Sequence, residues 1–212
     1  MRVRPLLSAL LAAALLLVQA AAATAHRLDE YLQATRLGVG PSSVSIEIEL
    51  TPGQSIASSV IAAIDSDGDG QFSTAEAEAY GRTVVGFCTL SVDGRPVQLQ
   101  YRSVTSADEG AMQEGVGSLQ IQTSGLLERA APGHHRLDFV NGHRPSGSVY
   151  LVNALVPDDP GVRITAQRRD PEQRSLSIDY EVSGSGWGRR MSYGVLVLAA
   201  VLIAVRRKTS QS

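Results

Sequence analysis

Between Tyr31 and Val182 apolar side chains recur at every second position in one short run after another. A period of two means side chains that alternate between a buried and a solvated face, which commits most of the chain to half-buried β-strands. Residues 44–50 place Val44, Ile46, Ile48 and Leu50 on one face, and 31–39 is the expected partner across Gly40, Pro41, Ser42 and Ser43. Asp93-Gly94 joins two extended stretches within 90–98, a strong short-range hairpin signal. Further runs lie at 118–123, 135–140, 148–154, 162–167 and 176–182, separated by turn residues at spacings that suit a β-sandwich. Residues 105–117, acidic and glycine-rich, read as a loop. The expected fold class is α+β: a mainly antiparallel β-sandwich-like domain over 26–182 with a helical module inserted at 53–88.

That module breaks the alternation. Ile56, Val60, Ile61 and Ile64 follow helical spacing, as do Tyr80, Val84, Val85 and Phe87 after an Ala/Glu-rich start at Thr74. Between the helices runs DSDGDGQFSTAE, residues 65–76, with carboxylates at loop positions 1, 3, 5 and 12 and glycine at position 6. Calcium takes about six to eight oxygens. Asp65, Asp67 and Asp69 would each supply one, Gln71 its backbone carbonyl, Ser73 an oxygen directly or through water, and Glu76 a bidentate carboxylate. Asp-Gly clusters also make ordinary turns, and Ser73-x-x-Glu76 is also a capping box. Four acids in one short loop nevertheless repel one another unless a cation compensates.

The loop resembles the EF-hand family over about 54–87. The motif is single, with no second D-x-D-x-D-G, whereas EF-hands commonly pair through position 8, here Phe72. The resemblance therefore implies a structural calcium site with Kd on the order of 10⁻⁴–10⁻³ M rather than a sensor. A dockerin-like loop lacks the entering helix, against which Val60, Ile61 and Ile64 argue.

The net charge of −2 conceals a segregation. Both ends are purely basic, so 26–188 holds twelve basic residues against all twenty-one acidic ones, a net of −9. So acidic a domain argues against nucleic acid as a partner, since phosphates require a basic face, and none is expected. Arg2 and Arg4, an apolar run from 6 to 18 and Ala23-Thr24-Ala25 read as a signal peptide over 1–25. After a Gly/Ser linker (183–190), the apolar segment 191–205 is bracketed by Arg189-Arg190 and by Arg206-Arg207-Lys208 of the tail 206–212. The expectation is a single membrane span with a cytoplasmic tail and the main domain outside, in the periplasm or beyond the cell. Spacer, apolar segment and basic tail also resemble bacterial C-terminal sorting signals that a protease removes.

Cleavage after Ala25 would leave His26 with its α-amino and ring nitrogens free, and His134, His135 or His143 could complete a copper or nickel site. The competing reading places these three histidines in turns and on a strand face. Residues 26–33 (HRLDEYLQ), the strand-rich body and 166–180 (AQRRDPEQRSLSIDY) resemble exported domains associated with HupE/UreJ-type metal permeases. That implies an envelope location and, as an alternative to structural calcium binding, a permease-accessory role using His26. An adhesion or scaffold module is a third reading. The sequence carries no G-x-S-x-G, H-E-x-x-H or phosphate-binding glycine loop, and catalysis is not expected. Cys88, the one cysteine, precludes an internal disulfide and reads as a small buried side chain.

Overall fold

The computed structural model describes residues 28–128 and 130–184; the leader, His26, nearly all of the linker, the apolar segment 191–205 and the basic tail lie outside the described residues. Among the described residues no helix is long and apolar enough to cross a membrane. The strands are β1 (Tyr31–Val39), β2 (Ser43–Pro52), β3 (Cys88–Val92), β4 (Arg95–Val97), β5 (Leu99–Ser106), β6 (Leu119–Leu126), β7 (Gly133–Asn141), β8 (Ser148–Ala154), β9 (Val162–Arg169) and β10 (Ser175–Val182). They form two five-stranded sheets, ordered β5-β6-β2-β1-β8 and β4-β3-β7-β10-β9. All neighbours are antiparallel except β1 and β8.

Register explains how the alternation becomes a core. Opposing β1 and β2 residues share a face, so Thr35↔Ile48 and Leu37↔Ile46 point inward together. The second sheet contributes Leu137, Phe139, Leu176, Ile178 and Tyr180 to the same hydrophobic cluster. Each buried Leu, Ile or Phe stabilises the fold by about 1.5–3 kcal/mol. Polar side chains outside this core pair locally: Arg36 meets Glu47 and Glu49, and Arg168 meets Asp179. Arg169 donates to the Val152 carbonyl at 2.6 Å and Gln167 accepts from the Ala154 amide at 3.3 Å, which satisfies part of the free edge of β8.

Asp93 (φ 50°) and Gly94 (φ 76°) turn β3 into β4 as expected of Asp-Gly. The chain then crosses at Gln98 into the other sheet as β5, a strand that alternation alone did not single out. The expected loop at 105–117 contains the end of β5 and a short helix, α3 (Glu109–Gln113). Asp108 caps α3 by accepting from the Ala111 amide, and Met112 is fully buried, which accounts for the order there.

The inserted helices are α1 (Gln54–Ile64) and α2 (Thr74–Gly86). Gly81 lets α2 sit closely on the first sheet: a Cβ there would lie 3.1 Å from Tyr101 Cε2 and 3.6 Å from Ile121 Cγ1. At the other contact, the Tyr80 hydroxyl of α2 lies 3.1 Å from that of buried Tyr31 on β1.

Beside that pair lies a buried polar network. Gln33 Nε2 donates to the His143 carbonyl (3.1 Å) and to Ser148 Oγ (2.9 Å), while its Oε1 accepts from Asn141 Nδ2 (3.0 Å). The His143 amide donates to Asn141 Oδ1 at 3.0 Å, and the Tyr150 hydroxyl donates to the His143 carbonyl at 2.7 Å. The His143 ring packs against Tyr31, Tyr80 and Phe87. Burial pushes its pKa from 6.5 down to about 4. Between those values the unfolded chain takes up a proton that the folded state refuses, so stability falls as the solution is acidified from pH 6.5 to 4. The loss reaches about 3 kcal/mol at most. Urea unfolding across that range should show this slope and its removal in His143→Gln; parallel profiles for the two proteins would contradict it.

Candidate metal centre

The loop that joins α1 to α2 folds back on itself through its own acids. Asp65 Oδ1 accepts from the Gly68 amide (2.7 Å) and Oδ2 from the Gly70 amide (3.0 Å). Asp67 Oδ1 accepts from the Asp69 amide at 3.2 Å, and Asp69 Oδ1 from the Gln71 amide at 2.8 Å. Gly70 has φ +79°, a left-handed conformation in which any Cβ is strained.

Glu76 closes the loop from the far side. Its Oε1 accepts from the Ser66 amide (2.6 Å) and Ser66 Oγ (3.0 Å), and its Oε2 from the Ser73 amide (3.0 Å) and Ser73 Oγ (2.8 Å). Ser73 Oγ accepts in return from the Glu76 amide, completing the capping box of α2. These donors, Ser73 first and then Ser66, bring the Glu76 pKa from 4.5 down to about 2. The group is therefore ionised throughout the neutral and mildly acidic range.

One oxygen each of Asp65, Asp67 and Glu76 lies within 4.8 Å of the others. Oxygens around one Ca²⁺ at 2.3–2.6 Å can stand no further apart than about 5 Å, twice that length, so the spacing suits a shared cation. The set is all hard oxygen, which favours Ca²⁺ or Mg²⁺ over metals that prefer nitrogen or sulfur. Of the six expected ligands, these three converge. Asp69 and Gln71 stand on the exposed side of the loop, and Ser73 is turned onto Glu76. Phe72, at loop position 8, is half-buried against the core.

Two contacts at the loop, one from within it and one from outside, had no signal in the local sequence. Ser66 doubles the hold on Glu76. The segment 106–110, leading into α3, lies against Gly70, Gln71 and Phe72 across a cleft of about 550 Å³. There Glu109 Oε2 is shielded from solvent without a hydrogen-bond partner, 3.9 Å from where a Cβ on Gly70 would stand. This segment arrives more than thirty residues later in the chain, so only the fold brings it to the loop.

The described histidines do not converge. His134 and His135 begin β7 and His143 follows its end, so roughly 25 Å of strand lies between them at about 3.3 Å per residue. Each has another partner: Glu181, Asp93 and the Gln33–Asn141 network respectively. Cys88 is buried, and desolvation pushes its thiol up to about 12, where it is no nucleophile at neutral pH. Comparison with protein-family models, curated proteins and solved structures found no match.

Loop closure generates two expectations for the metal-free protein. Ser73→Ala should lower the unfolding free energy in EDTA by about 1 kcal/mol through loss of the cap, and Gly70→Ala by about 1–2 kcal/mol through left-handed strain. Urea midpoints equal to wild type would contradict this account of the loop.

Proposed function

We propose that the protein binds one calcium ion in the 65–76 loop, and that the ion's role is structural within an exported, membrane-anchored domain. The observation that carries the reading is the approach of three carboxylate oxygens, from Asp65, Asp67 and Glu76, within 4.8 Å of one another. The hydrogen bonds that hold Glu76 ionised support it, as does the resemblance of the loop to EF-hands. Small side-chain rotations of Asp69 and Ser73, with the Gln71 carbonyl, would complete the oxygen shell. By offsetting half of the loop's four negative charges, the ion would fix the start of α2, whose Tyr80 and Gly81 are seated on the sandwich.

Export and anchoring rest on the basic-apolar-small pattern of 1–25 and on the arginine-bracketed segment 191–205. The resemblance to permease-associated exported domains agrees with an envelope location. A permease-accessory role through His26 would need ligands other than a convergence of His134, His135 and His143, which sit at opposite ends of β7. No catalytic role is proposed.

Isothermal titration of the full chain in detergent should give one Ca²⁺ site with Kd on the order of 10⁻⁴–10⁻³ M. Asp65→Asn and Glu76→Gln should each abolish it. Wild-type protein giving no heat with millimolar calcium, or both variants binding as wild type does, would overturn the proposal.

A further inference from the structure

At the end of the sandwich where β10 finishes, a cleft of about 580 Å³ separates the β3–β4 hairpin from the connection between β6 and β7. Val92, Val97, Leu126, Leu127 and Ala131 line it, with His135 at its edge. The His135 ring, 13% exposed, spans the two sides. Its Nδ1 lies 2.7 Å from Asp93 Oδ2 in the hairpin turn, and its Nε2 lies 2.7 Å from the Ala131 carbonyl oxygen in the connection. Neither oxygen can donate while Asp93 is ionised. Both ring nitrogens must therefore carry hydrogen, and only the imidazolium satisfies the two contacts together.

We propose that His135 is a protonation-dependent latch that holds the Ala131 corner of the β6–β7 connection against the β3–β4 hairpin. A neutral ring keeps one N–H and turns a lone pair toward an oxygen at the other contact. The Asp93 side is the better anchored, because Asp93 Oδ1 accepts from the Arg136 amide (2.9 Å) and the Asp93 amide donates to the Arg136 carbonyl (2.8 Å). The contact that fails on deprotonation is therefore the one to Ala131. Leu127 and Ala130 remain tied to the β1–β2 turn through Ser42 and Pro41, which confines the opening to the rim of the cleft.

The charged surroundings favour the closed, protonated form. Asp93 is the carboxylate facing the ring, and Arg95 of β4 acts on Asp93 in turn. Tyr180 of β10 packs beside the ring at 5.4 Å between centroids, and burial raises its hydroxyl to about 12, so it adds no charge. Glu128 lines the cleft, while Arg136 and His134 on β7 face Asp138 and Glu181. The Asp93 hydrogen bond and then the Ala131 carbonyl raise the His135 pKa above 6.5. The latch is fully present below pH 6.5 and is lost as pH rises through the raised value of the closed form.

The test is ring-nitrogen NMR of the histidines in the full chain, paired with the carbonyl-carbon shift of Ala131, whose oxygen is the acceptor at the latch. In wild type the His135 ring should titrate above 6.5 with both nitrogens protonated below that midpoint. As pH rises through that midpoint, the Ala131 carbonyl resonance should move with the same midpoint, because the hydrogen bond from Nε2 is lost. Asp93→Asn keeps a residue suited to the positive-φ turn, and should lower the midpoint by about one pH unit or more. His135→Gln should abolish the pH dependence. A ring that titrates at or below 6.5, or an Ala131 carbonyl shift indifferent to pH and to Asp93→Asn, would overturn the latch.

Discussion

Glu76 is the side chain on which the helical module turns, because each carboxylate oxygen has a separate task. Oε1 gathers Ser66 at the entry of the loop, and Oε2 gathers Ser73 at its exit. The same residue is the third of α2, so loop closure and helix start are one event rather than two. Its ionised state is enforced by these donors, which leaves a negative charge beside Asp65 and Asp67. Without a cation the loop retains this closed form against the repulsion of its own acids. With one bound as proposed, the same acids would become its ligands.

The consequences run along α2 into the sandwich. Tyr80 meets Tyr31 on β1, Gly81 lets the helix approach Tyr101 and Ile121, and Phe87 ends the helix beside the His143 ring. His143 belongs in turn to the network of Gln33, Asn141 and Tyr150 that ties β1, β7 and β8 together. The 65–76 loop is thus connected to the centre of the fold through one aromatic and one polar contact set. An ion bound as proposed would act on the whole fold, because the helical module is packed into the core, not appended to it.

What could be read in advance follows from how local each signal is. The pairing of β1 with β2, the Asp93-Gly94 turn, both inserted helices and the Asp65–Glu76 spacing all lie within short windows, where alternation, turn chemistry and motif spacing act directly. The parallel contact of β1 with β8, the crossing at Gln98 and the folding of 106–110 onto Gly70–Phe72 depend on residues far apart in the chain. α3 was hidden for another reason: its composition is that of a loop, and only the Asp108 cap and the burial of Met112 give it order. The Gln33–Asn141–His143 network spans more than a hundred residues, and no pattern of spacing encodes it. The acidic charge of the domain also divides more finely than composition suggests, since Glu47, Asp179 and Glu181 are matched by arginines across the sheets. Among the described residues the loop acids have no arginine or lysine partner.

The central claim is that a cation bound by those unmatched acids stabilises the whole domain through α2. It is tested most directly by the unfolding free energy of the full chain measured against free calcium concentration. The account predicts no gain at micromolar calcium and a rise of about 1–3 kcal/mol by ten millimolar, following the logarithm of concentration above Kd. The Asp65→Asn protein should give a flat line. A wild-type line as flat as that of the variant would contradict the account.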